Sequence, residues 1–451
     1  MKPYQLIPAL KEHQARQTKQ KPANEKPQEA PKDLSLAHGL LTKAGLAKEI
    51  GEGMLAAVCT LGSAAMDKLI EEEVVEHAGA KGKHNEKREA VRHGFAQGLV
   101  TFGGRMLAIK RPRVRSVGDK KEIPLQTYLW ATGRDVLNAM TYQQVMVGVS
   151  MRNYALTLEP VAARAAHRPK SISSSAISRR FIALTKQAWD MLMARDLRGL
   201  RPVVLMIDGI HVFGRMMVVA MVIDVDGYKH PVGLISGATE HSRVVSDLLT
   251  NLKDRGLDSK QGLLVVIDGS KALAAAVRKT FGDQALIQRC IEHKVRNVEA
   301  YLHKEEAPFI TRTMRKIYKR TDPELARREL LALVRRLEET NIDAANSLRE
   351  GLEDTLTIQR LRVGQTLART VRTTNPIESM NEIIRTRTRN VKRWRDGDMR
   401  QRWVAAALLE AESQFRRVQG WKEINALASA LYAVTVLKQP LTGGDLSEIA
   451  A

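Results

Sequence analysis

Val203-Val204-Leu205-Met206-Ile207-Asp208-Gly209 and Leu263-Leu264-Val265-Val266-Ile267-Asp268-Gly269 are two apolar runs that close on the same dipeptide. A continuous apolar run of this length, ended by Asp-Gly, reads as a strand buried on both faces. Each aspartate then falls at a strand's carboxyl end, where ligands gather on an open α/β sheet. Asp-Gly is also ordinary turn chemistry, and either run alone leaves that reading open.

The text between the runs decides the fold. A second apolar run spans 216–223 and meets Asp224-Val225-Asp226-Gly227, a hairpin signal, before a third short run at 230–236. These three read as an antiparallel meander. A helix is predicted over 239–255, with Val244, Val245, Leu248, Leu249 and Leu252 along one stripe. The strand ending in Asp268 follows, then a helix over 270–280, a strand at 285–288 and a helix from Cys290. Three antiparallel strands followed by alternating helix and strand is the order of a ribonuclease-H-like α/β core. In that order the first and fourth strands are neighbours, so Asp208 and Asp268 can share one metal site.

A third carboxylate is found far downstream, in Arg372-Thr373-Thr374-Asn375-Pro376-Ile377-Glu378-Ser379-Met380-Asn381. Asn375 suits a helix N-cap, Pro376 the first helical position and Glu378 a capping box. The residues alone leave Glu378 open between capping and catalysis, with Glu382 one turn on as a second candidate.

Several longer motifs stand in order along the chain: Gly237-Ala-Thr-Glu240, Leu252-Lys-Asp-Arg-Gly256, Val266-Ile-Asp-Gly-Ser-Lys271, Gln288-Arg-Cys-Ile-Glu-His293 with Arg296-Asn297, Arg372-Thr-Thr-Asn-Pro-Ile-Glu378 and Val391-Lys-Arg-Trp-Arg395. Together they resemble the Mutator-type bacterial insertion-sequence transposases over roughly residues 95–432. The resemblance implies a ribonuclease-H-like core carrying an Asp-Asp-Glu triad interrupted by a helical insertion. Carried over by motif, that triad is Asp208, Asp268 and Glu378. It implies cleavage of double-stranded DNA at terminal inverted repeats and transfer of the freed 3′-hydroxyls into target DNA. Two ends must be held together, which implies a homodimer or larger synaptic assembly. The helix carrying Cys290, His293 and Arg296 would flank the active site and support it.

Three carboxylates suit two Mg²⁺ or Mn²⁺ ions about 3.5–4 Å apart, because hard divalent cations take oxygen ligands. A nuclease without strand transfer would carry the same triad, and a domesticated DNA-binding protein would keep the charge while free to lose a carboxylate.

Composition bears on partners. The chain has 451 residues and a net charge of +22, the footprint of a protein that neutralises phosphates. Aromatic residues make up only 4%, which argues against a single-strand binder built on base stacking. Cys59 and Cys290 cannot build a disulfide framework or a zinc ribbon. No apolar run of about 18 residues and no signal-peptide core is present, so a cytoplasmic protein with no membrane partner is expected, and the resemblance implies that it is bacterial and DNA-associated.

Along the chain, 1–34 reads as a disordered basic tail with prolines at 3, 8, 22, 27 and 31, and 35–80 as a small helical unit. Residues 81–200 read as a mainly helical DNA-binding region. It starts with a His/Lys-rich link and helix-like text at 87–93. His77, His84 and His93 lack the matched cysteines of a zinc site. A β-hairpin over 99–115 turns at Gly103-Gly104 and ends in the cation-dense Lys110-Arg-Pro-Arg-Val-Arg115, read as a phosphate contact. A helix opening at Thr141, a short helix at 160–166 and a helix over 173–193 suggest a helix-turn-helix. Its last helix would present Arg179, Arg180 and Lys186 to the major groove. The core occupies 201–300 and an all-α insertion 301–371. The final segment, 372–451, carries the last core helix and further helical text over 403–437. Arg385, Arg387, Arg389, Lys392, Arg393 and Arg395 follow Glu378 closely and form a candidate DNA surface.

Overall fold

The computed structural model describes residues 54–83, 89–102, 105–133, 136–157, 172–237, 241–395 and 397–439. The expected tail, the start of the N-terminal helical unit, the Gly103-Gly104 turn, the helix at 160–166 and the last residues lie outside these. The described residues divide into two compact units, one running up to Leu184 and the other from Thr185 onward.

In the first unit, α1 (Met54–Ala78) lies on a three-stranded antiparallel sheet of β1 (Ala90–Phe102), β2 (Arg105–Ser116) and β3 (Glu122–Ile123). Met66, Ile70 and Val74, spaced by four, pack onto Val100, Ile109 and Val114. Residues 90–93 are therefore strand, not the expected helix. The hairpin starts earlier because Ala90 pairs with Ser116, and the ladder shifts register between Arg92 and Phe95, around Gly94 at φ +72°. In the cationic strand, Arg111 and Arg113 share Glu122 at 2.9 and 2.6 Å.

Two helices follow, α2 (Gln126–Gly133) and α3 (Val136–Met146). Glu73 of α1 accepts the Gln126 and Thr127 amides that open α2. Thr141 does not open a helix but lies buried in the middle of α3, its hydroxyl 3.4 Å from Tyr154 Oη. Next comes α4 (Ser174–Met193), whose stripe of Ile177, Phe181, Ala188 and Leu192 is buried as the periodicity predicts.

The second unit is built on a five-stranded mixed sheet in the order β6-β5-β4-β7-β8. Its strands are β4 (Pro202–Val212), β5 (Arg215–Asp224), β6 (Lys229–Ser236), β7 (Leu263–Ile267) and β8 (Ala285–Arg289). The first three form the antiparallel meander, and β7 and β8 add in parallel beside β4. Odd-numbered side chains Leu205, Ile207, Val265 and Ile267 meet α5 (Ser242–Asp254) and α6 (Lys271–Phe281), through Leu248, Leu252, Leu273 and Val277. Side chains alternate across a strand, so Met206, Asp208 and Val266 belong to the other face.

After α7 (Ile291–Glu299) the insertion is helical, as its apolar stripe predicts. It consists of α8 (Ala307–Ile317), α9 (Pro323–Thr340), α10 (Ile342–Arg349), two single turns at Leu352–Thr355 and Thr357–Arg360, and α11 (Gln365–Val371). Asp322 caps α9 by accepting the Glu324 and Leu325 amides ahead of Pro323 in the first turn. Met314, Leu330, Val334 and Leu337 pack onto Val295 and Val298 of α7, so one helix serves both the core and the insertion.

Buried Gln288, at the end of β8, fastens the two. Its Nε2 donates to Thr355 O at 3.0 Å, and its Oε1 accepts the Ile358 amide at 2.9 Å.

The chain then returns as α12 (Asn375–Thr388), which packs against β4, and α13 (Gly397–Gln414), which packs against α12 and β6. The expected continuous helix over 403–437 is interrupted. Gly420, at φ +78°, sits so close to the Leu367 backbone that a Cβ would collide with it, and α14 (Ile424–Thr435) starts afresh beyond it.

A charged network ties α13 to the antiparallel edge. Glu412 accepts both Arg195 nitrogens at 2.8 and 2.7 Å, while His230 bridges Glu412 at 3.2 Å and Asp224 at 2.8 Å. Burial pulls the His230 pKa down, but its bonds to Asp224 and Glu412 outweigh that and hold it at about 9. A histidine raised above its ordinary value near 6.5 contributes stability that is whole below that value and lost as pH climbs through about 9. The unfolding free energy of wild type should therefore exceed that of His230→Gln by on the order of 2 kcal/mol at pH 6, and the gap should close by pH 10. Denaturant unfolding of both proteins across that range checks this; a gap that does not narrow contradicts it.

Candidate active site

The parallel ladder pairs Val204 with Leu264, Leu205 with Val265 and Met206 with Val266. Carried on by two residues, the same register sets Asp208 opposite Asp268. Asp208 is not at the strand's end as its Asp-Gly suggested. The strand runs on to Val212, with Asp208 opposite Val219 of β5, because the antiparallel partner continues past the point where the parallel one stops. Asp268 does follow directly on the end of β7. Its Oδ1 accepts the Ser270 amide at 2.9 Å, and Ser270 in turn caps α6.

Glu378 reaches the same place from α12. Asp208 is only 8% exposed, and its pKa is pushed up to about 6, first by burial and next by the charge of Asp268, with Glu378 adding to it and His293 opposing. Asp268, Glu378 and His293 thus all act electrostatically on Asp208. Among the described residues no three His, Cys, Asp or Glu side chains stand close enough to enclose a metal ion unaided. An open cleft of about 470 Å³ borders Asp268, lined also by Lys271, His293 and Asn297.

The surrounding contacts hold these groups in place. Fully buried Asn381 donates from Nδ2 to Asp208 Oδ2 at 2.8 Å, one turn after Glu378 on the same helix. Thr374, not Asn375, is the N-cap of α12, and Glu378 makes no capping box with the helix backbone. Its Oε1 instead lies 2.8 Å from the Thr374 hydroxyl, which is 3.3 Å from both His293 Nδ1 and Cys290 Sγ. A hydroxyl has one proton to give, and the short contact to Glu378 is the one it serves best.

His293 stands 3.9 Å from Glu378, and its hydrogen bond with Cys290 raises its pKa against the pull of burial. Burial pushes the Cys290 thiol up, yet its bonds to His293 and Thr374 bring it below its ordinary value. Cys290 and His293 therefore interact with each other, Cys290 also with Thr374 and His293 also with Glu378.

Thr374, Asn381, Lys271 and Asn297 do not stand out as site residues in the sequence. All lie within or beside the quoted motifs, and that proximity is the one signal that points to them. Glu382, the second candidate, is exposed and pairs with Arg385 at 3.3 Å.

The basic candidates separate by environment. Arg389, Lys392, Arg393 and Arg395 are exposed beyond α12, and Arg296 is exposed on α7. Arg387 is half-buried and committed to Glu410. On α4, Arg179 is exposed, Arg180 is partly buried and Lys186 lies 3.4 Å from Asp190.

With this geometry in view, the chain belongs to a family of transposases, the Mutator family, whose sequence profile matches residues 39–418. It is 26% identical over 365 residues to the transposase for insertion sequence element IS256 in transposon Tn4001 of Staphylococcus aureus, covering 77% of this chain and 88% of that one. It is 27% identical over 372 residues to the transposase for insertion sequence element ISRM5 of Rhizobium meliloti, covering 80% and 87%. Against the transposase for insertion sequence element IS6120 of Mycolicibacterium smegmatis it is 30% identical over 254 residues, covering 54% and 75%. No helix among the described residues is long and apolar enough to cross a membrane.

The loop after Asp268 also depends on a glycine. Gly269 lies at φ +113°, and a Cβ there would collide with the guanidinium of Arg289, whose Nη2 donates to Gly269 O at 2.8 Å. Gly269→Ala should destabilise the protein by about 1–3 kcal/mol through strain at that φ and displacement of Arg289. Equilibrium urea unfolding measures this, and an unchanged midpoint would show that the loop relaxes freely.

Proposed function

We propose that Asp208, Asp268 and Glu378 form the catalytic triad of a ribonuclease-H-like core, and that the chain cleaves DNA at insertion-sequence ends and joins the 3′-hydroxyls to target DNA. The observation that carries this reading is the in-register parallel pairing of β4 with β7, which sets Asp208 across from Asp268 while Glu378 lies close enough to raise the Asp208 pKa. The strand order, three antiparallel strands with two parallel ones added beside the first, supports the core assignment.

The donor set suits a hard divalent cation: three carboxylates, two of which hold the third, Asp208, near 6 together with burial, in a way that a cation would reverse. Asp208, Asp268 and Glu378 would hold two Mg²⁺ or Mn²⁺ ions. When bound, such ions lower the pKa of an oxygen nucleophile and offset charge on phosphoryl and leaving oxygens.

The protein's own residues do the rest. Asn381 fixes the rotamer of Asp208, and the Thr374 hydroxyl does the same for Glu378. His293, between them, balances negative charge in the cleft. In cleavage, water attacks phosphorus and the P–O3′ bond breaks, leaving a 3′-hydroxyl and a 5′-phosphate. In joining, that 3′-hydroxyl is the nucleophile and a target phosphodiester gives up its own 3′-oxygen. The cations after α12 hold phosphates beside the cleft, and α4 is the reading helix through Arg179. Handling two ends together calls for a homodimer or larger assembly on double-stranded DNA.

Asp208→Asn, Asp268→Asn and Glu378→Gln should each lower divalent-metal-dependent cleavage by about a thousandfold or more while DNA binding stays near wild type. The metal affinity of wild type should also weaken as pH drops through about 6, because protons then compete with the cation for Asp208. Ordinary cleavage by Glu378→Gln would remove that residue from the triad.

Lys392, Arg393 and Arg395, neutralised together, should weaken binding to cognate and unrelated DNA by a similar factor. The salt slope should drop by about one for each phosphate that is no longer neutralised. Phosphate contacts position DNA without reading it, so the preference ratio should hold. Titrations over a salt series measure this, and an unchanged slope would mean that these side chains only solvate the surface.

A further inference from the structure

The loop that carries Asp268 is held on both sides from the end of β8. Parallel pairing sets Ile267, the last residue of β7, beside Arg289, the last of β8. The Cys290 amide then donates to Ile267 O at 2.8 Å, so the carbonyl just before Asp268 is taken by main chain. Gly269 O, on the far side of Asp268, is taken by a side chain instead: Arg289 Nη2 donates to it at 2.8 Å. The other arm of the same guanidinium reaches the helical insertion. Nη1 donates to Glu350 O at 3.0 Å and lies 3.0 Å from the Glu350 carboxylate, at the exit of α10. Both loops are shaped around this side chain. Gly269 at φ +113° and Gly351 at φ +61° lie in the left-handed region, and a Cβ on either would collide with the guanidinium.

Closing the end of α10 does not require Arg289. Buried Lys294 already does so, its Nζ donating to Ser347 O at 2.6 Å and to Glu350 O. Arg289 is itself only 6% exposed, and among the described residues Glu350 is the one carboxylate that pairs with either buried cation. The arm on Gly269 O adds nothing to α10; what it fixes is the backbone next to Asp268. A planar fork with separate N–H arms can serve both loops at once, whereas the single ammonium of a lysine cannot.

We propose that Arg289 is a positioning residue for phosphoryl transfer: it sets the Asp268 loop through Gly269 O, and Glu350 makes that grip depend on the seating of the helical insertion. The role rests on the reading of Asp268 as a member of the triad. Without Arg289 the loop loses an anchor while the Asp268 carboxylate keeps its charge. The deficit is then one of metal affinity, which a high divalent-ion concentration offsets. Loss of the carboxylate itself cannot be offset in that way.

The test uses the full chain: wild type, Arg289→Lys, Arg289→Gln, Glu350→Ala, Asp268→Asn and Leu192→Ala. The last removes a buried side chain of α4 and serves as a control for lost stability. Two quantities are read: Mn²⁺ affinity by paramagnetic resonance, and deuterium exchange of the peptide spanning 267–273 in metal-free protein. Both Arg289 variants should weaken Mn²⁺ binding by about tenfold and speed exchange in that peptide by about as much. Glu350→Ala, which breaks a partly exposed pair, should move both by about threefold. Leu192→Ala should leave both near wild type, since a clamp that only adds stability moves neither beyond this control. Saturating Mn²⁺ should restore cleavage to Arg289→Gln and not to Asp268→Asn. Wild-type exchange in Arg289→Gln, or wild-type Mn²⁺ affinity there beside lost affinity in Asp268→Asn, overturns the positioning role alone. Wild-type affinity in Asp268→Asn overturns the triad reading, and this role with it. Should the Arg289 variants fail to fold, Glu350→Ala decides, and wild-type exchange and affinity in it overturn the proposal.

Discussion

The parallel pairing of β4 with β7 is the constraint on which the second unit depends. It joins two segments 60 positions apart in sequence and fixes their register, so that even-numbered residues of both strands share one face. A slip by one residue would turn Asp208 toward α5 and α6, into a wall of leucine and valine, and bring Ile207 to the face that α12 covers. The apolar face therefore sets the position of the polar one. Burying Leu205, Ile207, Val265 and Ile267 against α5 and α6 leaves Asp208 no alternative to the side where Asn381 waits.

The return of α12 is the second requirement, because the whole helical insertion lies between Asp268 and Glu378 in the chain. An insertion of that length could carry α12 anywhere, and the clamp at the edge of β8 is what prevents this. Gln288 bonds to the turns at 355 and 358, and Arg289 donates to Glu350 O and Gly269 O. The Ile291 amide donates to Arg372 O, just before α12 begins. The insertion is thus fastened at its exit beside the place where it departed, and Glu378 is delivered to the aspartates.

Much of this was legible in the sequence, for reasons that differ by element. The apolar runs at 203–207 and 263–267 are continuous because both strands are buried on both faces, and such runs leave little choice but a central strand. The stripes of α4, α5 and α9 were equally plain. Boundaries set by a distant partner were not. β4 runs past Asp208-Gly209 because β5 pairs with it there, and residues 90–93 are strand because β2 lies beside them. Thr374 stands at the N-cap position of α12 although Asn375 is as good a candidate by type, and its side chain bonds to Glu378 and Cys290, contacts that no local pattern encodes. Asn381 and Gln288 were invisible as site and anchor for the same reason: each bonds to a residue far away in sequence.

Whether the three carboxylates together hold divalent metal is measured most directly by Mn²⁺ binding. Paramagnetic resonance can count ions bound per chain in the full-length protein, with and without duplex DNA, for wild type and for Glu378→Gln. The proposed site predicts two ions on wild type with DNA present and a clear fall in bound Mn²⁺ in the variant. Equal binding by the two proteins, or none by wild type in either condition, would contradict it.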